Sequence, residues 1–576
     1  MKIHERIIEL FEAEGINSLF GIPDPSFFSM FIHAESHGWN VIAPHHEEAA
    51  SFMAEASWRM TGKPSVVIGN KGPGVANLVS GAIHAAKENT PTIYIGGQRH
   101  RLYEQRVRRG KMQYLSQPRL FEAAMKYVGV IEYPEQTDEI VREAIRRALD
   151  GVPGPVYIDL PANVLGVDLK VEPALAPHQY RLVNQQASGD AVARAVEILK
   201  GAQSPILLVG QGAHVTRSHA AVGALAKLLD CPIIQTTGAL SVIEGMDDRS
   251  FPYGSPVANE IVGASDAVLA IGTELGEPLH YGRGRHWSKG RTDRKWLYVE
   301  QDASAIGVNR PIDVPLVGDL RAVVPQLTAA LQGQVNRRCE KRAGWAVEHA
   351  RLFDEAVAAV PTTSSPIHPG RLAIEATRVL PKDAVIVRDG GASSLFFTEL
   401  VQMRPRDFFW NQYYGSIGPG LPYAVGAQVA VGNARRVVLL TGDSSFMFHI
   451  SELETAVRRN LPVVCIIWVD HAWGIEVASY RASLGKDAFV GEAQWGKQVR
   501  LDRIAEGFGA HGEYVERAED VAAAVERALA SGKPAVVHVE IDAEANWNMP
   551  SMPGIGEFRT WYGEEGDNLG DPRGNY

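Results

Sequence analysis

The stretch Leu439-Leu440-Thr441-Gly442-Asp443-Ser444-Ser445-Phe446, continued by Ile450-Ser451-Glu452-Leu453-Glu454-Thr455-Ala456-Val457 and Pro462-Val463-Val464-Cys465-Ile466-Ile467-Trp468-Val469-Asp470, reads as strand, loop, helix and strand. Such a unit is a piece of a parallel α/β sheet. It sets Asp443 and Asp470 at the carboxyl ends of neighbouring strands, where open α/β sheets bind ligands. Two carboxylates at that place suit a hard divalent cation. Mg2+ takes oxygen ligands in octahedral geometry and commonly fills its shell with ligand phosphates. The Gly442 turn and the helix start behind it, at Ser444 and Ser445, offer backbone N–H groups to the same phosphates. A metal held together with a diphosphate-bearing ligand is expected.

The same alternation extends outward from this unit. Residues 1–165 intersperse apolar runs, such as Ser65-Val66-Val67-Ile68-Gly69 and Pro91-Thr92-Ile93-Tyr94-Ile95, with stretches of 3.6-residue period. From Gly166 to about Ser188 the pattern lapses into a polar, Pro-containing linker, then resumes at Pro205-Ile206-Leu207-Leu208-Val209 and Ala267-Val268-Leu269-Ala270-Ile271. A charged stretch at 336–342 leads into Pro361-Thr362-Thr363-Ser364-Ser365-Pro366, after which a third α/β set runs from His368 to Ile541. The expectation is three consecutive parallel-sheet α/β domains, at 1–165, 189–335 and 366–545, which suits a chain of 576 residues. Residues 546–576, rich in Pro, Gly, aromatics and acids without periodicity, are expected to form an irregular arm or lid.

Composition narrows the partners. A hydrophobic fraction of 45% and a charged fraction of 22% are those of an ordinary globular protein, and a net charge of -10 argues against a general nucleic-acid binder. Cys231, Cys339 and Cys465 are far apart and form no CxxC pair, as in a reducing compartment. The N-terminal residues alternate charged and apolar types at helical spacing, unlike a secretory signal. No stretch approaches the roughly 20 apolar residues that span a bilayer. A cytoplasmic protein with small-molecule substrates and neither nucleic-acid nor membrane partners is expected.

A second informative segment is Pro44-His45-His46-Glu47-Glu48-Ala49-Ala50-Ser51-Phe52-Met53-Ala54-Glu55-Ala56-Ser57-Trp58-Arg59. Alone, Glu47 is an acid at a helix N-terminus, where the helix dipole favours it. His45 and His46 do not make a zinc motif, because Ala50 stands where HExxH needs its second histidine. Taken with the interval from Asp443 to Asp470, however, the segment resembles the activating-glutamate helix of thiamine-diphosphate (ThDP) enzymes. That resemblance implies that Glu47 faces the aminopyrimidine of the cofactor and promotes its proton exchange. It also implies that Asp443, Asp470 and the backbone carbonyl of Ala472 hold Mg2+. Two departures stand out: Ser444 replaces the usual Gly and Asp470 the usual Asn, and neither removes an oxygen ligand.

Further matches run along most of the chain. Asn70-Lys71-Gly72-Pro73-Gly74-Val75-Ala76-Asn77 resembles the family's Gly-Pro-Gly turn, with Pro73 and Asn77 toward the cofactor. Asp389-Gly390-Gly391-Ala392-Ser393 resembles the other half of the diphosphate grip, and in Tyr414-Gly415-Ser416-Ile417-Gly418 the bulky Ile417 takes the place that bends the cofactor. Gly442, Ser444, Ser445, Trp473 and Gly474 complete the expected cofactor contacts. The resemblance makes the three domains pyrimidine-binding, central nucleotide-binding-like and diphosphate-binding. It implies a homodimer or homotetramer, the cofactor lying between the first domain of one subunit and the third of another. In the central domain, Gly212, Thr273 and Asp302 follow short strands as in nucleotide-binding folds, and ADP is preferred there over FAD or no ligand.

The branch is read from the first domain. The His pair of pyruvate decarboxylases is absent, whereas Met112-Gln113 and Lys126 align with positions shared by acetolactate synthases and 2-hydroxyacyl-CoA lyases. Five arginines and Lys111 between positions 99 and 111 suit phosphate, and hence coenzyme A. Trp561-Tyr562-Gly563-Glu564-Glu565 extends past the end of simpler relatives, as in CoA-using ones. The expected reaction is that of a 2-hydroxyacyl-CoA lyase, cleaving for example 2-hydroxyisobutyryl-CoA to formyl-CoA and a ketone or aldehyde, or running backwards as a carboligase. Glu476 and Glu492 are the expected proton-transfer candidates beside Glu47, and Gln113, at the position shared with those relatives, is expected to be catalytic with them. Alternatives are an acetolactate-synthase-like carboligase acting on pyruvate, a benzoylformate-type decarboxylase, and a silent regulatory paralogue, against which Glu47 and both metal acids speak.

Overall fold

Short runs of Val, Ile and Leu, bounded by turn residues, close into strands buried on both faces, as parallel strands between helix layers must be. The computed structural model describes residues 1–104, 106–240, 243, 245–283, 287, 293–363, 365–402, 407–409 and 414–548. They form three six-stranded sheets, every pairing parallel. The first sheet comprises β1 (Ser18–Gly21), β2 (Asn40–Ile42), β3 (Val66–Gly69), β4 (Ile93–Gln98), β5 (Tyr127–Val130) and β6 (Val156–Pro161), ordered β2-β1-β3-β4-β6-β5. The central sheet comprises β7 (Pro205–Val209), β8 (Ile233–Gln235), β9 (Ser250–Pro252), β10 (Ala267–Ile271), β11 (Lys295–Glu300) and β12 (Val314–Val317), ordered β12-β11-β10-β7-β8-β9. The third comprises β13 (Val385–Arg388), β14 (Asp407–Phe409), β15 (Val437–Gly442), β16 (Val464–Val469), β17 (His511–Val515) and β18 (Ala535–Glu540), ordered β14-β13-β15-β16-β18-β17.

Two topologies are present. The first and third sheets share one strand order, and the central sheet has the doubly wound order of dinucleotide-binding folds. In each, the order reverses between two adjacent central strands: β1 and β3, β7 and β10, β13 and β15. Open α/β sheets bind ligands beyond the carboxyl ends of such pairs. Asn70 follows β3, Gly210 follows β7, and Asp389 and Asp443 follow β13 and β15.

The first and third domains share a core. The Glu47–Thr61 helix lies along the Gly420–Val431 helix, and a side chain at Gly426 would collide with the backbone carbonyl of Met53. Glycine permits that approach. Beside it, Arg59 pairs with Glu55 at 2.8 Å and Glu88 at 3.1 Å, and His84 pairs with Glu55 at 3.3 Å, all four buried. Buried charges persist only when paired. This cluster meets all three domains: Gln211 of the central domain donates to Glu88, as does the backbone N–H of Tyr414, while His84 lies 3.1 Å from the Ser416 hydroxyl.

Two expectations change in detail. The charged stretch after Leu331 leads into the Arg342–Ala359 helix, which buries none of its residues. The arm expected from residue 546 starts inside an ordered helix, Ala543–Trp547, in which Asn546 and Trp547 are buried. The rest of the arm, from residue 549, including Trp561 to Glu565, lies outside the described residues.

Candidate active site

Glu47 opens the Glu47–Thr61 helix, capped by His46, whose Nδ1 accepts the N–H of Glu48. Its side chain is buried, and Oε2 accepts a hydrogen bond of 3.0 Å from the Asn77 amide. A Cβ on Gly74 would lie 2.9 Å from Oε1, so only glycine lets the Pro73–Lys87 helix close over this carboxyl. Gly72, with φ of 72°, approaches Gln113 so closely that a Cβ would sit 2.7 Å from the Gln113 carbonyl. Gln113 is itself left-handed, with φ of 54°, an uncommon backbone for a residue with a side chain. The structure thus gathers Glu47, Pro73, Asn77 and Gln113 around one turn.

The third domain assembles the second group. Asp443 ends β15 and Asp470 follows β16, both buried. Asp443 accepts the N–H groups of Ser444 at 2.9 Å and His471 at 3.0 Å. Asp470 accepts the Ala472 N–H at 3.2 Å, while its other oxygen accepts from the Asn546 amide at 2.7 Å and the Trp547 indole at 2.9 Å. Burial, and then the neighbouring Asp470 carboxylate, holds the Asp443 carboxyl well above the usual range, and burial raises Asp470 as well. Two carboxylates buried side by side, both with raised proton affinity, are an arrangement whose charge a cation would offset. The buried backbone of Ala472 adjoins them.

Around this pair the glycines mark where backbones crowd. A Cβ on Gly474 would stand 2.5 Å from Asp470 Oδ2 and 3.4 Å from the Cβ of Ala392, and one on Gly391 would meet Ile475 at 3.3 Å. The starts of the Ala392–Glu399 and Gly474–Leu484 helices are therefore brought together beside Asp443. Their N–H groups, with the buried Ser445 hydroxyl that has no hydrogen-bond partner, suit the oxygens of a diphosphate. Ser393 donates to Asn546 at 3.5 Å, tying this cradle to Asp470.

Ile417 is half-buried on a segment pinned from below: Asp389 accepts the N–H groups of Gly418 at 3.0 Å and Gly420 at 2.8 Å. Burial pushes the Asp389 carboxyl up to about 6. Trp473 packs edge-on against Phe448. Its backbone N–H donates to the Ala493 carbonyl at 2.8 Å, and Ala472 pairs with Gln494, so the turn carrying Glu492 is clipped onto the segment that follows Asp470. Glu476 lies in the first turn of the adjacent helix. Both acids are exposed.

Among the described residues, no hydrogen bond or ion pair joins Glu47 or Asn77 to Asp443 or Asp470. Lys126 stands apart from both groups, donating to the carbonyls of Asp150 and Val152. In the central domain a cavity of ≈ 400 Å³ opens at the switch point, lined by Gly212, Gly272, Thr273, Glu300 and Gln301. Asp302 does not line it, because its carboxylate is spent on the Ser304 N–H and hydroxyl. Glu300, at the end of β11, lines the cavity together with Glu88, Glu274 and Glu277. Asp389, Asn546 and Trp547 are contributors that spacing alone did not single out. Asp389 heads the Asp389–Ser393 segment already read as half of the diphosphate grip without being picked out itself, and nothing local marked the other two.

Comparison with known proteins divides the chain in the same way. Models of the thiamine pyrophosphate enzymes match it three times: the N-terminal TPP binding domain over residues 1–121, the central domain over 192–327 and the C-terminal TPP binding domain over 389–539. The chain is 25% identical over 565 residues to a probable acetolactate synthase large subunit of Methanococcus aeolicus, covering 95% of this chain and 93% of that one. It is 27% identical over 549 residues to the acetolactate synthase isozyme 2 large subunit of Escherichia coli (strain K12), covering 94% and 95%. Sulfoacetaldehyde acetyltransferase of Alcaligenes xylosoxydans xylosoxydans is 26% identical over 581 residues, covering 93% and 92%. With three domain matches in the order and positions of the three sheets, the chain belongs to the thiamine-diphosphate-dependent enzymes.

Proposed function

We propose that this enzyme is a ThDP- and Mg2+-dependent carbon–carbon lyase, working in reverse as a carboligase, whose substrate is a 2-hydroxyacyl-CoA. When bound, ThDP supplies a nucleophilic carbon and an electron sink next to the substrate carbonyl. The chain's own residues do the rest. Asp443, Asp470 and the Ala472 carbonyl hold the metal, and Ser393, Ser445 and the helix starts at Ala392 and Gly474 hold the diphosphate. Glu47, kept in place by Asn77 and Gly74, moves the proton that activates the cofactor. Glu476 or Glu492 accepts the substrate's 2-hydroxyl proton as the C1–C2 bond breaks to a ketone or aldehyde, and a proton is returned to the one-carbon fragment released as formyl-CoA.

The observation that carries the CoA reading is the loop before Gln113. Three of its cations hold the loop itself: Arg99 donates to the Met112 carbonyl, Arg101 pairs with Glu104 and Glu132, and Lys111 donates to the Glu104 carbonyl. Arg106, Arg108 and Arg109 are exposed and pair with no acid among the described residues. Guanidinium groups left over at a site's rim are suited to a phosphorylated ligand. The second reading, acetolactate-synthase-like carboligation of pyruvate, is favoured by the names of the relatives.

Among the described residues no hydrogen bond or ion pair joins Glu47 to Asp443 within one chain, which fits a homodimer or homotetramer in which two chains complete each site. The central cavity, with the doubly wound strand order around it, supports ADP as a bound nucleotide there. The three cysteines stand free, in keeping with a reducing compartment.

Turnover of purified enzyme with ThDP and Mg2+ on 2-hydroxyisobutyryl-CoA and on pyruvate separates the readings. Formyl-CoA release, with KM for the CoA ester raised in the triple change of Arg106, Arg108 and Arg109 to Gln, is the expected result. Turnover of pyruvate alone overturns the CoA reading and establishes the second.

A further inference from the structure

Gln117 is fully buried and its amide is saturated. Its oxygen accepts the Gly72 N–H at 2.8 Å, and its nitrogen donates to the Gly97 carbonyl at 2.8 Å and to Asp159 at 2.9 Å, with the Tyr157 hydroxyl at 3.3 Å. The amide has one chemically sensible orientation: Gly72 offers only a donor, and the carbonyl and carboxylate only acceptors. Asp159 is fixed in turn by the Tyr157 hydroxyl, which donates to it at 2.7 Å. Tyr157 fits because Gly96 has no side chain; a Cβ there would overlap its hydroxyl.

What this amide holds is the turn that faces Glu47. Gly72 is the N-cap of the Pro73–Lys87 helix and has no side chain with which to cap it, so the helix start is secured from outside. From that start the helix presents Gly74 against one Glu47 oxygen and Asn77 to the other. Gly72 also packs on the left-handed backbone of Gln113. One side chain therefore joins the ends of β4 and β6 to the turn after β3 and, through it, to both Glu47 and Gln113.

We infer that Gln117 is a positioning residue for cofactor activation: through the Gly72 N–H it sets the placement of Gly74, Asn77 and Gln113 against Glu47. This rests on the assignment of Glu47 as the activating acid. Gln117 touches neither cofactor nor substrate, so its effect appears in the activation of bound ThDP and not in its affinity.

The test is hydrogen–deuterium exchange at the thiazolium C2 of ThDP bound with Mg2+, followed by quench and NMR, alongside ThDP affinity and the melting temperature of the cofactor-free protein. Gln117→Met keeps the volume and leaves the Gly72 N–H, Gly97 carbonyl and Asp159 unanswered. Its exchange is expected to slow about tenfold or more, the scale of an orphaned buried group, with ThDP affinity little changed. Gln117→Glu is the conservative variant. When protonated, it accepts from Gly72 and donates to Asp159 as the amide does; when ionised, it opposes that carboxylate, with Glu104 adding to the repulsion and Arg101 at 3.9 Å opposing it. Its exchange rate relative to the unaltered enzyme is expected to recover on acidification, whereas that of Gln117→Met does not. Unchanged exchange in Gln117→Met, or losses in both variants that follow melting temperature and ignore pH, overturns the proposal. Glu47→Gln, measured in parallel, distinguishes the two assignments: if it leaves exchange intact, the Glu47 assignment itself fails.

Discussion

The first and third domains have the same strand order and place opposite chemistry at the same position on it. Each has a buried aspartate on the ligand side of its sheet, Asp159 within β6 in one and Asp389 just after β13 in the other, and burial pushes both up to about 6. Above Asp159, the site is built from amides: Gln117, the Gly72 N–H and Asn77, with a single carboxyl, Glu47, fully accommodated. Above Asp389, two carboxylates, Asp443 and Asp470, stand together and repel. The comparison teaches that the fold sets where a ligand goes, while the loop residues decide what it meets. In the proposed function the first half moves protons with its own residues, whereas the second needs a cation to offset its paired carboxylates.

The largest expected effect breaks the proton-handling half. Glu47→Gln keeps the shape and the contact with Asn77, so kcat falls by about 10²–10⁴, the usual contribution of acid–base catalysis, while ThDP still binds. Parallel kinetics and calorimetry check this. Next comes the joint between the halves. Arg59→Met leaves Glu55 and Glu88 with less compensation in a buried site, and urea unfolding is expected to show a loss of about 3 kcal/mol.

The cation half is sharpened by Trp547→Phe. The indole N–H and the Asn546 amide both donate to one Asp470 oxygen, so that the other, which accepts the Ala472 N–H, is the one placed for the proposed metal. Removing one such donor is expected to weaken Mg2+ binding about tenfold in a titration followed by ThDP retention. The same geometry suits Asp better than Asn here: one oxygen accepts from two outside donors, and only a carboxylate keeps a second acceptor oxygen for the proposed cation.

The smallest effect is in pH dependence. Asp159 and Asp389 hold their protons to a higher pH folded than unfolded. Each therefore favours the folded state fully below the ordinary carboxyl pKa and loses that contribution as pH rises through the window up to about 6. Asp389→Asn, compared with the unaltered chain by chemical unfolding at pH 4 and pH 7, is expected to remove its share of that slope.

The three domains were legible because parallel strands buried on both faces leave continuous apolar runs, as Val464–Val469 does, and because turn glycines such as Gly442 stand at the strand ends. Asp443 and Asp470 were legible because their interval is fixed by the helix between two adjacent strands. Gln117 was not, since a glutamine ahead of a five-residue helix has no local signature; its importance comes from β3, β4 and β6 meeting around it. Asn546 was taken for the start of an irregular arm, because a helix of five residues is too short to show a period. Asp302 looked suited to a ribose, but one of its oxygens caps its own turn and it does not line the cavity, whereas Glu300 two residues earlier does.

The most direct test of the account is a titration of the purified protein with ThDP, with Mg2+ and with chelator, for the unaltered chain, Glu47→Gln and Asp443→Ala. Saturable binding that requires Mg2+, survives in Glu47→Gln and is lost in Asp443→Ala is the predicted result. Binding indifferent to chelator and to Asp443→Ala would contradict the assignment of the two aspartates, and with it the division of labour between the two domains.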